Sequence, residues 1–347
     1  MDTITQIALG AAVGEAVLGK KVGNKAVAWG AVGGTIPDLD VLIMPFVSEV
    51  QALAIHRGFS HSITFAILFA PVFGWIIHKI HRNAAATWKD WSWLAFWTVF
   101  THPILDSFTV YGTQLFQPFS DYPVAWNSIF IIDPAYTLPL LAGVITVCFL
   151  RRNASLRRKI NYAALALSTF YLLLGFAIKL HVQSVFETSL NQQQISYNHI
   201  MNANTPFNIF LWMGIAETEE TQWVGLYSIF DKDTNIQFQE IPKNKNLIAA
   251  AMNQPAIKRL MWFSRGYYTV KEHNGTLYFN DLRFGRSDIW LDNDGRYIFS
   301  FELQSEHEQP NQITGFQRKQ PEFVGTDEGA NEFQRLLARL LVRMWGK

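Results

Sequence analysis

Cysteine is nearly absent from this chain: Cys148 is the single one in 347 residues. That excludes a disulfide framework and a thiolate zinc site, so any metal has to be held by His, Asp or Glu. Charge is scarce too, at 16% of residues, with a formal net charge of only +1. With no clustered basic excess there is no footprint for nucleic acid, and none is expected as a principal ligand. The first residues, Met1-Asp2, lack the positive stretch that opens a cleavable signal peptide, so the N-terminus is expected to be retained. No internal repeat or low-complexity tract is evident.

What the chain has in quantity is apolar residues, 49% of the total, and a mean hydropathy of +0.07. They are unevenly spread. Up to about Leu180 apolar runs follow one another with charge confined to short clusters, whereas from His181 onward charged and amide residues occur throughout. The expected architecture is an α-helical multi-spanning membrane domain over 1–180, followed by a small soluble α+β domain over 181–347.

A bilayer core about 30 Å thick takes roughly 20 apolar residues in a helix. Against that ruler there are about five to six spans, at 3–19, 26–47, 63–78, 91–110, 129–150 and 160–180. Glu15 interrupts the first, and Pro37-Asp38-Leu39-Asp40 breaks the second. Counted as six, they put the clusters Lys20/Lys21/Lys25, Lys79/Arg82/Lys89 and Arg151/Arg152/Arg157/Arg158/Lys159 in alternate loops, all cytoplasmic. The segment from residue 181 is then extracytoplasmic. In that segment 223–230, 276–279 and 297–303 read as strands, with Asn293-Asp294-Gly295 as a turn signal. A helix over 328–345 follows, with Leu336, Leu337, Leu340, Leu341 and Met344 on one face and Arg335, Arg339 and Arg343 on the other.

Ionisable groups beside membrane spans are costly and mark a site, a pathway or a pair. Here Asp2, Asp38, Asp40, His56, His61, His102, Asp106 and Asp133 all fall at one side of the oriented spans. Pro37 disfavours helix before it, so Asp38 and Asp40 are expected on unwound backbone where alternate residues face the same way. Two such carboxylates call for a cation, although a capping Asp with a solvated neighbour is the plainer alternative. His56-Arg57-Gly58-Phe59-Ser60-His61 spaces two imidazoles too widely for one helical face, so a loop is implied, with Ser60 or Ser62 capping the next helix. Arg57 offers a planar fork for an anionic group. His102 and Asp106 share a face at i and i+4 if the helix runs through Pro103. Oxygen and imidazole ligands without thiolate suit a divalent metal, with zinc first and manganese or iron behind it. Such a site suits hydrolysis of an ester or phosphoester. Either His102 and Asp106 both bind metal, or Asp106 orients the His102 ring.

Together, Met1-Asp2-x-x-Thr5, Pro37-Asp38-Leu39-Asp40, His56-Arg57-Gly58-x-x-His61-Ser62, Thr101-His102-x-x-Leu105-Asp106, Tyr111-Gly112-Thr113 and Ile132-Asp133-Pro134 resemble the bacterial inner-membrane metal-dependent hydrolase family, YdjM-like and also described as LexA-binding. The resemblance covers about residues 1–180. It implies a multi-spanning protein of a bacterial inner membrane, a metal site on Asp38, Asp40, His56, His61, His102 and Asp106, and hydrolase activity, with Asp133 as orienter or base; it also suggests a distant relation to the helical zinc phospholipase C and P1 nuclease group. Members often carry His where this chain has Gln6. The expected substrate is a membrane lipid or lipid-like ester at the outer leaflet. The rival reading is a non-catalytic scaffold whose C-terminal domain holds a protein partner, or a transporter, although only one Asp-rich break is found where a transporter should show paired ones.

Overall fold

The computed structural model describes residues 1–289, 295–306, 309–319 and 327–346. It divides into two compact units, Met1–Phe46 with Ile55–Ala177 and Pro206–Asn208, and Val47–Ala54 with Ile178–Thr205 and Ile209–Lys347.

Helix α1 (Thr3–Val22) begins where the Asp2 carboxylate accepts from Thr5 N at 3.0 Å. It ends at Gly23, whose φ of +62° suits glycine, and α2 (Asn24–Thr35) folds straight back on it. The two helices meet backbone to backbone. A Cβ on Gly10 would lie 2.4 Å from Gly30 O, one on Gly14 2.3 Å from Ala26 O, and one on Gly34 2.5 Å from Gln6 O. Small residues four apart on both helices are what permits that approach. Glu15, the interruption in the first apolar run, is buried against Arg157, which donates from Nε at 2.7 Å and Nη2 at 2.6 Å.

Pro37 stops α2, and the chain turns by 47° through 3₁₀ turns at Pro37–Leu42 and Met44–Phe46. After α3 (Glu49–Ile55) and a turn at Phe59–His61, Ser62 Oγ caps α4 (Ile63–Ile80) by accepting from Phe65 N. A Thr87/Asp90 capping box opens α5 (Trp88–Asp106), which continues through Pro103. Asp133 caps α6 (Pro134–Phe149), and α7 runs unbroken over Ser155–Gln192.

Two of these helices, α4 and α7, are long and apolar enough to cross a membrane, or three elements if α2 with 37–46 is one bent span. The count of five to six is therefore not reproduced. Helix α6, at 16 residues, reaches only about 24 Å. Lys89, Asp90, His102 and Asp106 make α5 too polar, and Gln6, Glu15 and the two terminal lysines do the same for α1. Without six spans the alternation of basic loops no longer fixes which side the C-terminal segment occupies.

The second unit carries two antiparallel four-stranded meanders. One is β1 (His199–Asn204), β2 (Leu211–Glu217), β3 (Thr221–Ser228) and β4 (Phe238–Pro242). The other is β5 (Tyr268–His273), β6 (Thr276–Arg286), β7 (Tyr297–Glu306) and β8 (Gln309–Lys319). Helix α8 (Pro255–Ser264) precedes the second sheet and α9 (Asp327–Met344) follows it. The end of α7 puts Phe186 into the first sheet's core with Trp212 and Tyr227, in the space left by Gly214. Leu340 and Met344 of α9 are buried with Leu211 and Ile289, and Arg343 forms a fork on Asp231 at 2.6 and 2.8 Å. The expected turn at Asn293-Asp294 lies outside the described residues.

Candidate metal centre

Three local structures converge. The 3₁₀ turn after Pro37 delivers Asp38, the turn before α4 delivers His61, and the last turns of α5 deliver His102 and Asp106 from one face. One ligand atom from each lies within 4.8 Å of the other three. His61 Nε2 is 3.3 Å from Asp38 Oδ1 and 3.5 Å from Asp106 Oδ2. His102 Nε2 is 3.4 Å and 3.5 Å from the same oxygens, and the two Nε2 atoms are 3.2 Å apart. Around a tetrahedral zinc with bonds of about 2.0–2.2 Å, ligand atoms sit roughly 3.3–3.6 Å apart. The four imidazole-to-carboxylate edges have that length, and the imidazole pair is slightly closer.

The second ring nitrogens assign the tautomers. His102 Nδ1 donates to Gly34 O at 2.6 Å, a carbonyl freed because α2 ends there. His61 Nδ1 lies 3.1 Å from Ser60 Oγ and 3.5 Å from Asp40 Oδ2. In the tautomer that keeps the proton on Nδ1 of each ring, both Nε2 lone pairs face the carboxylate oxygens, the arrangement a metal ligand needs. Burial pushes the His61 imidazole down to about 4, which keeps it neutral. Asp106 Oδ2 is buried without a hydrogen-bond donor, while Oδ1 accepts from Gln6 Nε2 at 3.0 Å and pairs with the Met1 amino group. That Oδ2 oxygen lies 3.5 Å from both imidazole Nε2 atoms and 3.2 Å from Arg57 Nε, which forms an ion pair with it but no hydrogen bond, so it keeps a position for a metal ion. This His/Asp cluster could hold a metal ion.

Around the four stands a supporting layer. The Pro37–Leu42 segment is a 3₁₀ turn and not extended, so with three residues per turn Asp38 and Asp40 diverge. Asp40 sits behind His61, where Oδ1 meets His56 Nδ1 at 3.2 Å and Oδ2 accepts from Arg57 N at 3.0 Å and Ser60 Oγ at 3.3 Å. His56 is thus paired with Asp40 and stands outside the group of four. Arg57, at a φ of +56°, is buried with Nε 3.2 Å from Asp106 Oδ2, Nη1 donating to Thr109 Oγ1 at 2.8 Å and its fork over the Tyr111 ring. Asp133 accepts from Ala135 N and Tyr171 Oη, and Asp2 from Thr5. Gly34 and Thr109 were not singled out by sequence reasoning, and Gln6 was noted only as the position where the resembling family often carries His. Gly34 acts through its carbonyl, which no side-chain pattern reveals.

The model of the YdjM inner membrane protein family matches residues 1–182, half of the chain, and includes every residue of this cluster. The chain belongs to the YdjM inner membrane protein family. The YdjM match ends within α7, so both sheets lie outside it. A curated relative, the Uncharacterized protein YfhP of Bacillus subtilis (strain 168), is 31% identical over 154 residues, 42% of this chain and 45% of that protein. The match therefore spans less than half of either one. No solved structure matches the chain.

Proposed function

We propose that this YdjM-family protein is a membrane-embedded, metal-dependent hydrolase of an ester or phosphoester, acting at the outer face of the inner membrane. The observation that carries the reading is the convergence of two imidazole nitrogens and two carboxylate oxygens within 4.8 Å of one another. Asp38, His61, His102 and Asp106 would hold the ion, zinc being the first candidate. Bound there, a divalent metal supplies the charge that activates water and stabilises the transition state of such a cleavage. The chain's own groups do the rest. Asp40 orients two imidazoles at once, His61 toward the cluster and His56, whose side chain is 23% exposed, toward solvent. In this reading His56 carries the proton, the role the sequence assigned to Asp133, which is occupied in capping α6. Arg57 holds the Asp106 carboxylate in place as well as balancing its charge.

Access supports a lipid-like substrate. The side chains of His61, His102 and Asp106 are at most 1% exposed, whereas Asp38 is 28% exposed. The residues that follow Asp38, namely Leu39, Leu42, Ile43 and Phe46, are 50–85% exposed and apolar. A substrate reaching the Asp38 edge would pass an apolar collar, which suits an acyl chain.

A full tetrahedron of protein ligands is also how structural metal sites are closed, and that observation favours the rival reading of a metal-stabilised scaffold. One experiment separates the two. Metal content of detergent-purified protein is measured by plasma mass spectrometry for the wild type, His61→Ala and His56→Gln, beside turnover of phosphoester and lipid ester substrates. The hydrolase reading expects metal to be lost in His61→Ala, and retained with turnover lost in His56→Gln. Metal without any turnover in the wild type supports the scaffold, and wild-type protein that takes up no metal removes both.

A further inference from the structure

At the opposite end of α4 from His61 lies a groove of about 740 Å³ lined by Pro71, Val72, Trp75, His78, Lys79, Arg82 and Trp88. We infer that it binds the headgroup of an anionic phospholipid, with an acyl chain along its apolar part, independently of any metal chemistry. Residues 71, 75, 78, 79 and 82 follow one another at helical spacing, so they form one stripe of α4 and the turn beyond it. Along that stripe the chemistry changes in the order of a lipid molecule: Pro71 and Val72, then Trp75, then His78, Lys79 and Arg82.

Charge complements the occupant. Three basic side chains line the groove and no acidic one does. The acid near the start of α5, Asp90, is engaged with Lys21 at 2.6 Å and with the Thr87 cap. Among the described residues Lys79 and Arg82 form no ion pair, and Lys79 Nζ lies 5.2 Å from the centroid of the Trp75 ring. His78 Nδ1 is buried without a hydrogen-bond partner, so a proton on that atom has an acceptor still to find. A lipid phosphate is the anion a helix of this kind meets. Helix α4 has 18 residues, about 27 Å, and is one of the two helices apolar enough to cross the bilayer, so its basic end falls at headgroup depth. Trp75 and Trp88, 53% and 45% exposed, are the residues that favour that depth. Basic pockets at such a level bind acidic lipid headgroups.

The test is native mass spectrometry of the full-length protein titrated with phosphatidylglycerol or with phosphatidylcholine of the same chains. Inorganic phosphate is present in a parallel series. Phosphatidylglycerol is expected to bind more tightly, and Lys79→Gln/Arg82→Gln to weaken it about thirtyfold with phosphatidylcholine unchanged. The control Arg158→Gln/Lys159→Gln removes two exposed basic residues elsewhere and is expected to leave binding as it was. Trp75→Ala, which keeps every charge, is expected to weaken both lipids. Equal loss in the control variant would show diffuse charge attraction and overturn the site. Equal affinity for the two lipids, or displacement of the lipid by millimolar phosphate, would overturn it as well.

Discussion

At the scale of single residues the centre separates groups that hold from groups that aim. Asp40→Asn keeps the four converging atoms but removes a charge behind His61, so metal affinity should fall about 10–100-fold without being abolished. Competition titration against a chromophoric chelator measures this, and unchanged affinity would remove Asp40 from the supporting layer. His56→Gln should lower turnover by about 10²–10⁴ while leaving metal content at the wild-type level. Which residues to look at was legible in the sequence: the Pro-Asp break, the two spaced imidazoles and the i, i+4 pair on α5 all come to one place. The division of labour among them was not, because it depends on whether Asp38 and Asp40 sit on extended or 3₁₀ backbone, and a proline before them is compatible with both. Gln6 was beyond reach for a different reason, since its contact with Asp106 spans 100 residues.

At the scale of elements, the α1–α2 seam and the Glu15–Arg157 pair are the features most open to test. Gly30→Val places side-chain carbon where Gly10 O already lies, and it should destabilise the protein by about 1–3 kcal/mol, read as a lower midpoint of thermal unfolding in detergent. Arg157→Met strands a buried carboxylate and should cost about 3–5 kcal/mol, much of it regained in Glu15→Gln/Arg157→Met. If the double variant is no better than the single one, the arginine acts through its bonds to the Val147 and Leu150 carbonyls instead. Three of the eight described strands and the last helix were anticipated. Strands β3, β6 and β7 and helix α9 lie where alternation and helical spacing put them. Span counting ran too high because it accepted α1 and α5 on length, although both carry polar residues that serve the cluster and the Arg157 pair. The α2 break was read correctly as a discontinuity, but where its carboxylates point depends on the partners of Asp40, namely His56, Arg57 and Ser60, which is a tertiary matter.

At the scale of the whole molecule, a metal bound to the folded state alone stabilises it by mass action, about 4 kcal/mol at a thousandfold excess over its Kd. Chelation should therefore lower the unfolding midpoint of the wild type and leave that of His61→Ala where it was. A midpoint indifferent to chelator in both would show that the cluster binds nothing. The glycine seam carries a different consequence, one that concerns length. Gln6 and Gly34 reach the centre from opposite strands of a hairpin whose backbones touch at Gly10, Gly14 and Gly30, so the seam works as a jig that indexes one helix against the other. Inserting or deleting one residue between Gln6 and Gly10 would swing the amide by about 100° away from Asp106. Relatives that keep this centre should accordingly differ freely in the number of residues between α4 and α5 or between α6 and α7, and hardly at all between residues 6 and 34.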